Sequence, residues 1–394
     1  MVIASDVPGT VSVPEYIVAA PEYLKKGDTV IVVSPSGLIE EERLANARGV
    51  LSLWGLNVLE GEYALSRNGI FAGTDQARRA DVQWAINHPT AKAIIFSRGG
   101  YGAARIIEDI DFSALERYPK WFVGFSDITV FHSRLALLSA REGGSGVPSC
   151  GGVAPHAGAT YCVGASVYAK VPSYDGVVSH AKVPSYGGVV SHAGVPSYVG
   201  VSAHAKVPSY DGVVSHAGVS SIHAAMPQTY PLDFSDRALT SLHDLLFGDG
   251  IDFSWQSPFF KSGSVTAPLV GGNLSVLYSL RGTPIDLDVN GKILLLEDLN
   301  EMDYHIDRMF QNLKQGGWFS RIAGLIIGQF TDIKQGIRAF PEPFEDMIKE
   351  YTLGYNIPIA INAPIGHIPS QQAVYLNTPA VFEVSSDGLA VVRQ

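Results

Sequence analysis

From residue 29 onward the chain switches between short runs of β-branched and aliphatic residues and longer stretches with helical apolar spacing. This alternation limits the fold more than any other feature. Strand signals fall at 29–34 (TVIVVS), 56–59, 93–97 and 121–125, with helical patterns at 40–53, 75–87, 103–110 and 127–140. After a long interruption the pattern resumes, with helices expected at 236–246, 274–280, 303–313 and 342–351 and strands at 292–296, 323–327 and 357–361. Runs such as TVIVVS are apolar at successive positions, so both faces of the strand must be covered. Strands of that kind separated by helices build βαβ units and a mainly parallel sheet, an α/β fold. At the end, segments 373–375, 381–384 and 389–392 around Asp387-Gly388 predict a β-hairpin.

The interruption is a repeat. Val171-Pro-Ser-Tyr-Asp-Gly-Val-Val-Ser-His-Ala-Lys182 recurs with a twelve-residue period from Val183, Val195 and Val207, and looser copies start at Val147 and Ala159. Each unit holds one turn signal and one short strand signal, too little to bury a core by itself. Its few apolar side chains do not offset an ordering cost of roughly 1–2 kcal/mol per residue. The repeat therefore reads as a mobile or marginally ordered surface insertion, which a host fold tolerates because loop closure grows slowly with length. With 394 residues the remainder suffices for about two domains. The expected division is an N-terminal extension at 1–20, a first α/β domain at 21–141 and 221–240, the insertion at 142–220, and a second domain at 241–394.

Charge and cysteine usage narrow the function classes. A net charge of −10 argues against nucleic acid or an anionic membrane surface as partner. No apolar run approaches membrane-spanning length, and residues 1–20 lack the basic and apolar regions of a signal peptide. Only Cys150 and Cys162 occur, both in the repeat, so a disulfide framework is not expected and a reducing cytoplasm is the default compartment. No His-Glu-x-x-His or zinc-like Cys/His spacing is present, and neither metal nor cofactor is expected.

Reactive residues fall where strands should end, which is where open α/β sheets hold ligands. Ser126, in Gly124-Phe-Ser-Asp127, lies between a strand and a helix start, with helix N-terminal amides beside it. Ser126 or Asp127 also suits a plain N-cap role, and the Gly-x-Ser-x-Gly elbow is missing because Ile128 replaces its second glycine. Arg98-Gly-Gly-Tyr-Gly102 brings amides of Gly99 or Gly100 which, with that of Asp127, suit an oxyanion. An ordinary glycine-rich turn explains the same residues. Glu297 closes Ile293-Leu-Leu-Leu-Glu297 and needs a cation or N–H partner; Arg308 offers a structural ion pair, and Asp298 is the rival acid. Among eleven histidines, His367 in Pro364-Ile-Gly-His-Ile-Pro369 has the best context for a general base, whereas His132 suits a core role. Serine, acid and histidine together suggest nucleophilic acyl transfer.

Arg98-Gly-Gly-Tyr-Gly102, Gly124-Phe-Ser-Asp127-Ile-Thr129, Gly271-Gly-Asn-Leu274, Leu296-Glu-Asp298 with Ile306-Asp-Arg308, and Gly366-His367 resemble the LD-carboxypeptidases, whose fold is shared by microcin C immunity peptidases. The resemblance covers roughly residues 21–141 and 221–394. It implies a flavodoxin-like first domain, a swivelling-type α/β second domain, and a site between them. Ser126 would be the nucleophile, Glu297 the triad acid and His367 the base, with Arg98, Gly99, Gly100, Asp127 and Asn273 facing the oxyanion or substrate. It further implies a cytoplasmic homodimer without metal that removes the terminal D-alanine of murein tetrapeptides. Two alternatives remain: a peptidase acting on peptidyl or aminoacyl nucleotides, and a non-catalytic scaffold using the repeat as an interaction arm. A further departure is Ser221-Ile-His-Ala-Ala-Met-Pro227, where the family has a short His-Gly-Pro or similar stretch directly after the Ser126 helix.

Overall fold

The strand 29–33 is buried at every position from Val30 to Val33, and its side chains divide by parity. Val30 and Val32 enter one apolar cluster, Ile31 and Val33 another on the opposite face. Strands Ala91–Phe96 and Trp121–Gly124 repeat this split, with Trp121 and Val123 on the first side and Phe122 on the second. A two-sided burial of this kind, worth about 1.5–3 kcal/mol per large aliphatic side chain, selects the centre of a covered parallel sheet. The structure, a computed structural model, describes residues 17–141, 214–215, 218–233, 235–336 and 341–394.

In that sheet Asn57–Glu60, Thr29–Val33, Ala91–Phe96, Trp121–Gly124 and Ser221–His223 lie side by side and parallel. Numbered along the chain their order is 2-1-3-4-5, the flavodoxin-like doubly wound order. A sixth strand, Val374–Leu376, closes the edge antiparallel to Ser221–His223. Helix Glu41–Leu53 covers one face through Leu44, Ala47, Val50 and Leu51. Helix Asp75–Asn87 starts at Thr74, whose hydroxyl accepts from the Ala77 amide.

The second sheet has eight strands, in the order Phe260–Lys261, Ile359–Ala360, Gly324–Thr331, Ile293–Leu299, Gly263–Asn273, Thr378–Val384, Leu389–Arg393 and Asp252–Gln256. The middle strands run parallel and the outer ones antiparallel. Thr378–Val384 and Leu389–Arg393 form the expected hairpin, whereas the segment before it crosses to the first sheet. One apolar cluster joins the two sheets, holding Val30 and Trp121 together with Leu269, Leu295 and Phe382.

Two expected helices differ in form. Residues 103–110 carry helical spacing, and Ala103, Ile106, Ile107 and Ile110 are buried, yet the segment is two 3₁₀ turns, Ala103–Arg105 and Ile107–Asp109. The stretch 127–140 begins as a 3₁₀ turn, becomes helix only over Thr129–Ala136, and ends in a strand Ser139–Arg141. That strand lies between Ile17–Ala19 and Val214–Ser215 in a small third sheet. Arg141 therefore pairs with Val214, and the chain is back beside its exit point six residues before the expected end of the insertion at 220. Residues 218–220, expected to be mobile, are described, with Val219 and Ser220 buried against the fold; residues 142–213 and 216–217 of the predicted insertion, and residues 1–16 of the extension, lie outside the described residues. No helix among the described residues is long and apolar enough to cross a membrane.

Candidate active site

Ser126 sits just past the carboxyl end of Trp121–Gly124, in a backbone conformation that L-residues avoid. Its φ is 64°, between extended Phe125 and the 3₁₀ turn Ser126–Ile128. Such a conformation costs on the order of 1–3 kcal/mol and persists only where the surroundings impose it. They do so here. A Cβ on Gly124 would lie 3.0 Å from Ile128, so the glycine lets the turn fold back on the strand. Across the crevice a Cβ on Gly99 would lie 2.8 Å from the Ser126 Cβ, 2.9 Å from its Oγ and 3.3 Å from the Asp127 amide nitrogen. Only glycine leaves the serine hydroxyl and that amide open at this spot. Gly100, at φ 101°, continues the loop and is exposed.

Asp127 does not cap a helix; Ile128 occupies the N-cap position of Thr129–Ala136. Its buried carboxylate accepts from Ser36 Oγ at 2.6 Å and from the Ala103 amide at 2.9 Å. Those contacts tie the serine turn to the loops following the first and third strands, the switch point of the sheet. Burial pushes its carboxyl up despite these donors. Arg98 donates from Nη1 to the Leu38 carbonyl at 2.8 Å and stays half-buried at the same rim.

Glu297 comes from the other sheet. The register between Ile293–Leu299 and Gly324–Thr331 shifts between Leu296 and Asp298, so that Gly328 and Gln329 of the neighbouring strand bulge opposite Glu297. Glu297 and Asp298, consecutive in their strand, are both buried. Space for Glu297 depends on glycines: a Cβ on Gly366 would lie 2.9 Å from its Cβ and Oε2, and one on Gly328 3.1 Å from its Cβ. Gly366, at φ 118°, then delivers His367 onto it.

The three side chains form one hydrogen-bonded line. His367 Nδ1 lies 2.7 Å from Glu297 Oε2, and His367 Nε2 lies 3.0 Å from Ser126 Oγ. The carboxylate can only accept, so Nδ1 carries the proton and Nε2 presents its lone pair to the hydroxyl. Glu297 is fully buried. Burial alone would raise its carboxyl, yet the neighbouring histidines, His367 foremost, hold it at about 2. For His367, burial pulls the pKa down, but the Glu297 charge and hydrogen bond outweigh it and leave a net rise. An ionised acid, an oriented imidazole and a strained hydroxyl can together withdraw a proton from the hydroxyl and carry the resulting charge.

Other expected residues have different duties. Arg308 lies over the Tyr304 ring, at 5.5 Å, rather than on Glu297. Asp298 accepts from Asn273 Nδ2, the Ser275 amide and the Leu299 amide, and burial pushes its carboxyl up to about 7. Asn273 caps the helix Leu274–Ser279 through Oδ1, and its own amide donates to Thr129 Oγ1 at 3.0 Å, docking the two sheets beside the serine helix. Its side chain is thus committed to scaffolding rather than aimed at Ser126. His132 is a core residue, buried between Ser221 Oγ and the Gly124 carbonyl. Sequence reasoning passed over His223, which the structure brings to within 3.8 Å of Glu297 Oε1. Its signal is a histidine in a short stretch standing where the family has His-Gly-Pro, and it closes the buried strand Ser221–His223. One group of potential metal ligands occurs among the described residues, His243, Asp244 and Asp249, and it includes none of Ser126, Glu297 or His367.

A flavodoxin-like sheet, a second mixed sheet, and a Ser–His–Glu line between them are the framework of a serine-type hydrolase. Residues 30–140 match the LD-carboxypeptidase N-terminal domain and residues 266–382 the LD-carboxypeptidase C-terminal domain, together more than half of the chain. The chain belongs to the LD-carboxypeptidase family. It is 27% identical over 367 residues to a probable murein peptide carboxypeptidase of Bacillus subtilis, covering 93% of this chain and 92% of that one. It is 21% identical over 386 residues to the microcin C7 self-immunity protein MccF of Escherichia coli, with 96% of each covered. The crystal structure of muramoyltetrapeptide carboxypeptidase from Oxalobacter formigenes shares the fold, with a TM-score of 0.67 at 23% identity over 93% of this chain and 98% of that one.

Proposed function

We propose that this chain is a serine carboxypeptidase that cleaves the L,D-peptide bond to the terminal D-alanine of murein tetrapeptides. The observation that carries the reading is the continuous line of hydrogen bonds from Glu297 through His367 to Ser126. In this mechanism His367 Nε2 takes the Ser126 proton as Oγ attacks the scissile carbonyl. The tetrahedral oxyanion is received by the Asp127 amide and by Gly99 or Gly100, across the gap that a Gly99 side chain would fill. His367 then gives its proton to the departing D-alanine nitrogen, leaving the peptide esterified to Ser126. Water, deprotonated by His367, hydrolyses that ester and frees the tripeptide. Arg98, at the rim and without a carboxylate partner among the described residues, is the proposed contact for the D-alanine carboxylate.

The family resemblance carries two finer parts of the proposal, a cytoplasmic setting for cell-wall recycling and a homodimer. The test is turnover of a murein tetrapeptide by the purified protein, followed by release of free D-alanine. Wild type should release it and Ser126→Ala should not. A higher kcat/KM on an aminoacyl sulfamoyl adenosine than on the tetrapeptide would reassign the substrate while keeping the chemistry.

A further inference from the structure

Glu297 uses only one of its two oxygens in the line that leads to Ser126. Oε2 is taken by His367, while Oε1 is fully buried without a hydrogen-bond partner among the described residues. Facing it is His223 Nε2, 3.8 Å away, on a side chain that is also 0% exposed and has neither ring nitrogen paired. A buried acceptor and a buried donor, each without another partner, stand one short movement apart. Roughly 1 Å of approach turns the pair into a hydrogen bond.

Among the described residues, His223 has no competing partner. Phe125 packs against its ring at a 61° angle with centroids 5.7 Å apart. On another side lies His132, with ring centroids 6.5 Å apart. His132 Nε2 must donate to the Gly124 carbonyl, which can only accept, so its Nδ1 receives the Ser221 hydroxyl. Burial strongly disfavours a charge on His132, down to about 3, so it stays in that neutral form. Neither of its nitrogens is free for His223.

We propose that His223 is a positioning residue for the reaction: its Nε2–H donates to Glu297 Oε1, so two imidazoles from opposite sheets clamp one carboxylate. His367 holds Oε2 from the second sheet's loop, and His223 holds Oε1 from the fifth strand of the first sheet. The carboxylate plane is then fixed by two donors, and Glu297 cannot rotate away from His367 Nδ1 as charge develops on that ring. Formation of the clamp also requires both sheets to be docked, which couples assembly of the fold to readiness of the base.

The inference rests on the serine-carboxypeptidase reading, and its test separates the two. Three full-length variants, Ser126→Ala, His223→Leu and His223→Gln, are assayed on a murein tetrapeptide beside wild type, with thermal melting of each. His223→Leu keeps the approximate volume but removes the donor; kcat should fall about 10–100-fold, as for other residues that orient a functional group from behind, with KM within about threefold. His223→Gln restores an N–H and should return kcat to within about threefold of wild type. Wild-type kcat in His223→Leu overturns the proposal. So does equal impairment of the leucine and glutamine variants, or a leucine variant that does not fold, either of which assigns His223 to packing. Retained turnover in Ser126→Ala would instead overturn the underlying reading.

Discussion

The two sheets supply their parts of the site by opposite means. Ser126 is presented by its own turn: strand, extended Phe125, one left-handed residue and a 3₁₀ turn all fall within residues 121–128. Glu297 and His367 are 70 residues apart and meet through a bulge and through clearance left by Gly328 and Gly366. The first arrangement stores strain locally, and the second depends on space made by distant backbone. A local device tolerates change elsewhere but not within its turn. A long-range one is vulnerable wherever a methyl group fills the space.

The most severe way to break this contrast is to remove the nucleophile. Ser126→Ala should lower kcat by about 10⁴-fold or more, and the melting temperature should hold, because only a half-buried hydroxyl is lost while the left-handed backbone stays the same. An unchanged kcat would dismiss the line altogether. On the other side, Glu297→Gln should cost about 10³–10⁴-fold in kcat, since the amide no longer fixes the proton on Nδ1. It should also bring the imidazole titration of His367, followed by NMR, to lower pH, because the Glu297 charge holds it up.

Next in size come the two glycines, which set one half of the site directly against the other. Gly99→Ala places a methyl group against Ser126, and Gly366→Ala places one against Glu297 at a φ of 118°. Each should cost about 10²-fold in kcat/KM, the usual penalty for displacing reacting groups by about 1 Å. Gly366→Ala should also lower the melting temperature more, because its left-handed backbone disfavours any side chain. Equal melting temperatures would erase the distinction between the two devices.

The acidity of the site gives a milder effect. His367 must be neutral to accept the serine proton, and its folded pKa is raised above 6.5. The acid limb of kcat/KM should therefore lie above pH 6.5, with activity lost as pH falls through it. A limb below that value would mean that burial, not Glu297, dominates. The smallest effect is expected from replacing residues 142–213 by a short Gly/Ser linker. Arg141 and Val214 already pair, so closing the loop there should leave kcat/KM within about twofold. Loss of activity in a folded deletion variant would make the insertion part of the site.

Much of this was legible in the chain because the signals are local. TVIVVS is apolar at successive positions, and a strand covered on both faces is its only comfortable state. A histidine in a proline-bounded loop stands out by its neighbours, whereas Ser126 after a strand-glycine suits a plain N-cap equally well and gains weight only beside an acid and a base. Where local signals mislead, tertiary packing is the cause. Residues 103–110 kept their buried face but wound more tightly, with the Asp127 carboxylate receiving the first amide. The strand Gly263–Asn273 carries no clear strand signal because Pro268 and the glycines at 263, 271 and 272 look like loop, yet Pro268 stands opposite Pro379 within the sheet. Asn273, given a substrate-facing role by the family resemblance, caps the helix Leu274–Ser279.

By itself, the sequence determined the α/β alternation, the place of Ser126 just past a strand end, and the isolation of the repeat between two halves of one fold, whereas Glu297, expected to close its strand, lies inside Ile293–Leu299. These follow from periodicity and neighbouring residues, which act over a few positions. Only the tertiary structure decided that Val374–Leu376 joins the first sheet, that Asp127 clamps loops rather than capping a helix, and that His223 faces the free oxygen of Glu297. Those outcomes depend on which side chains meet across two sheets. Such meetings are set by docking and register between segments up to hundreds of residues apart, and no short stretch of chain carries that information.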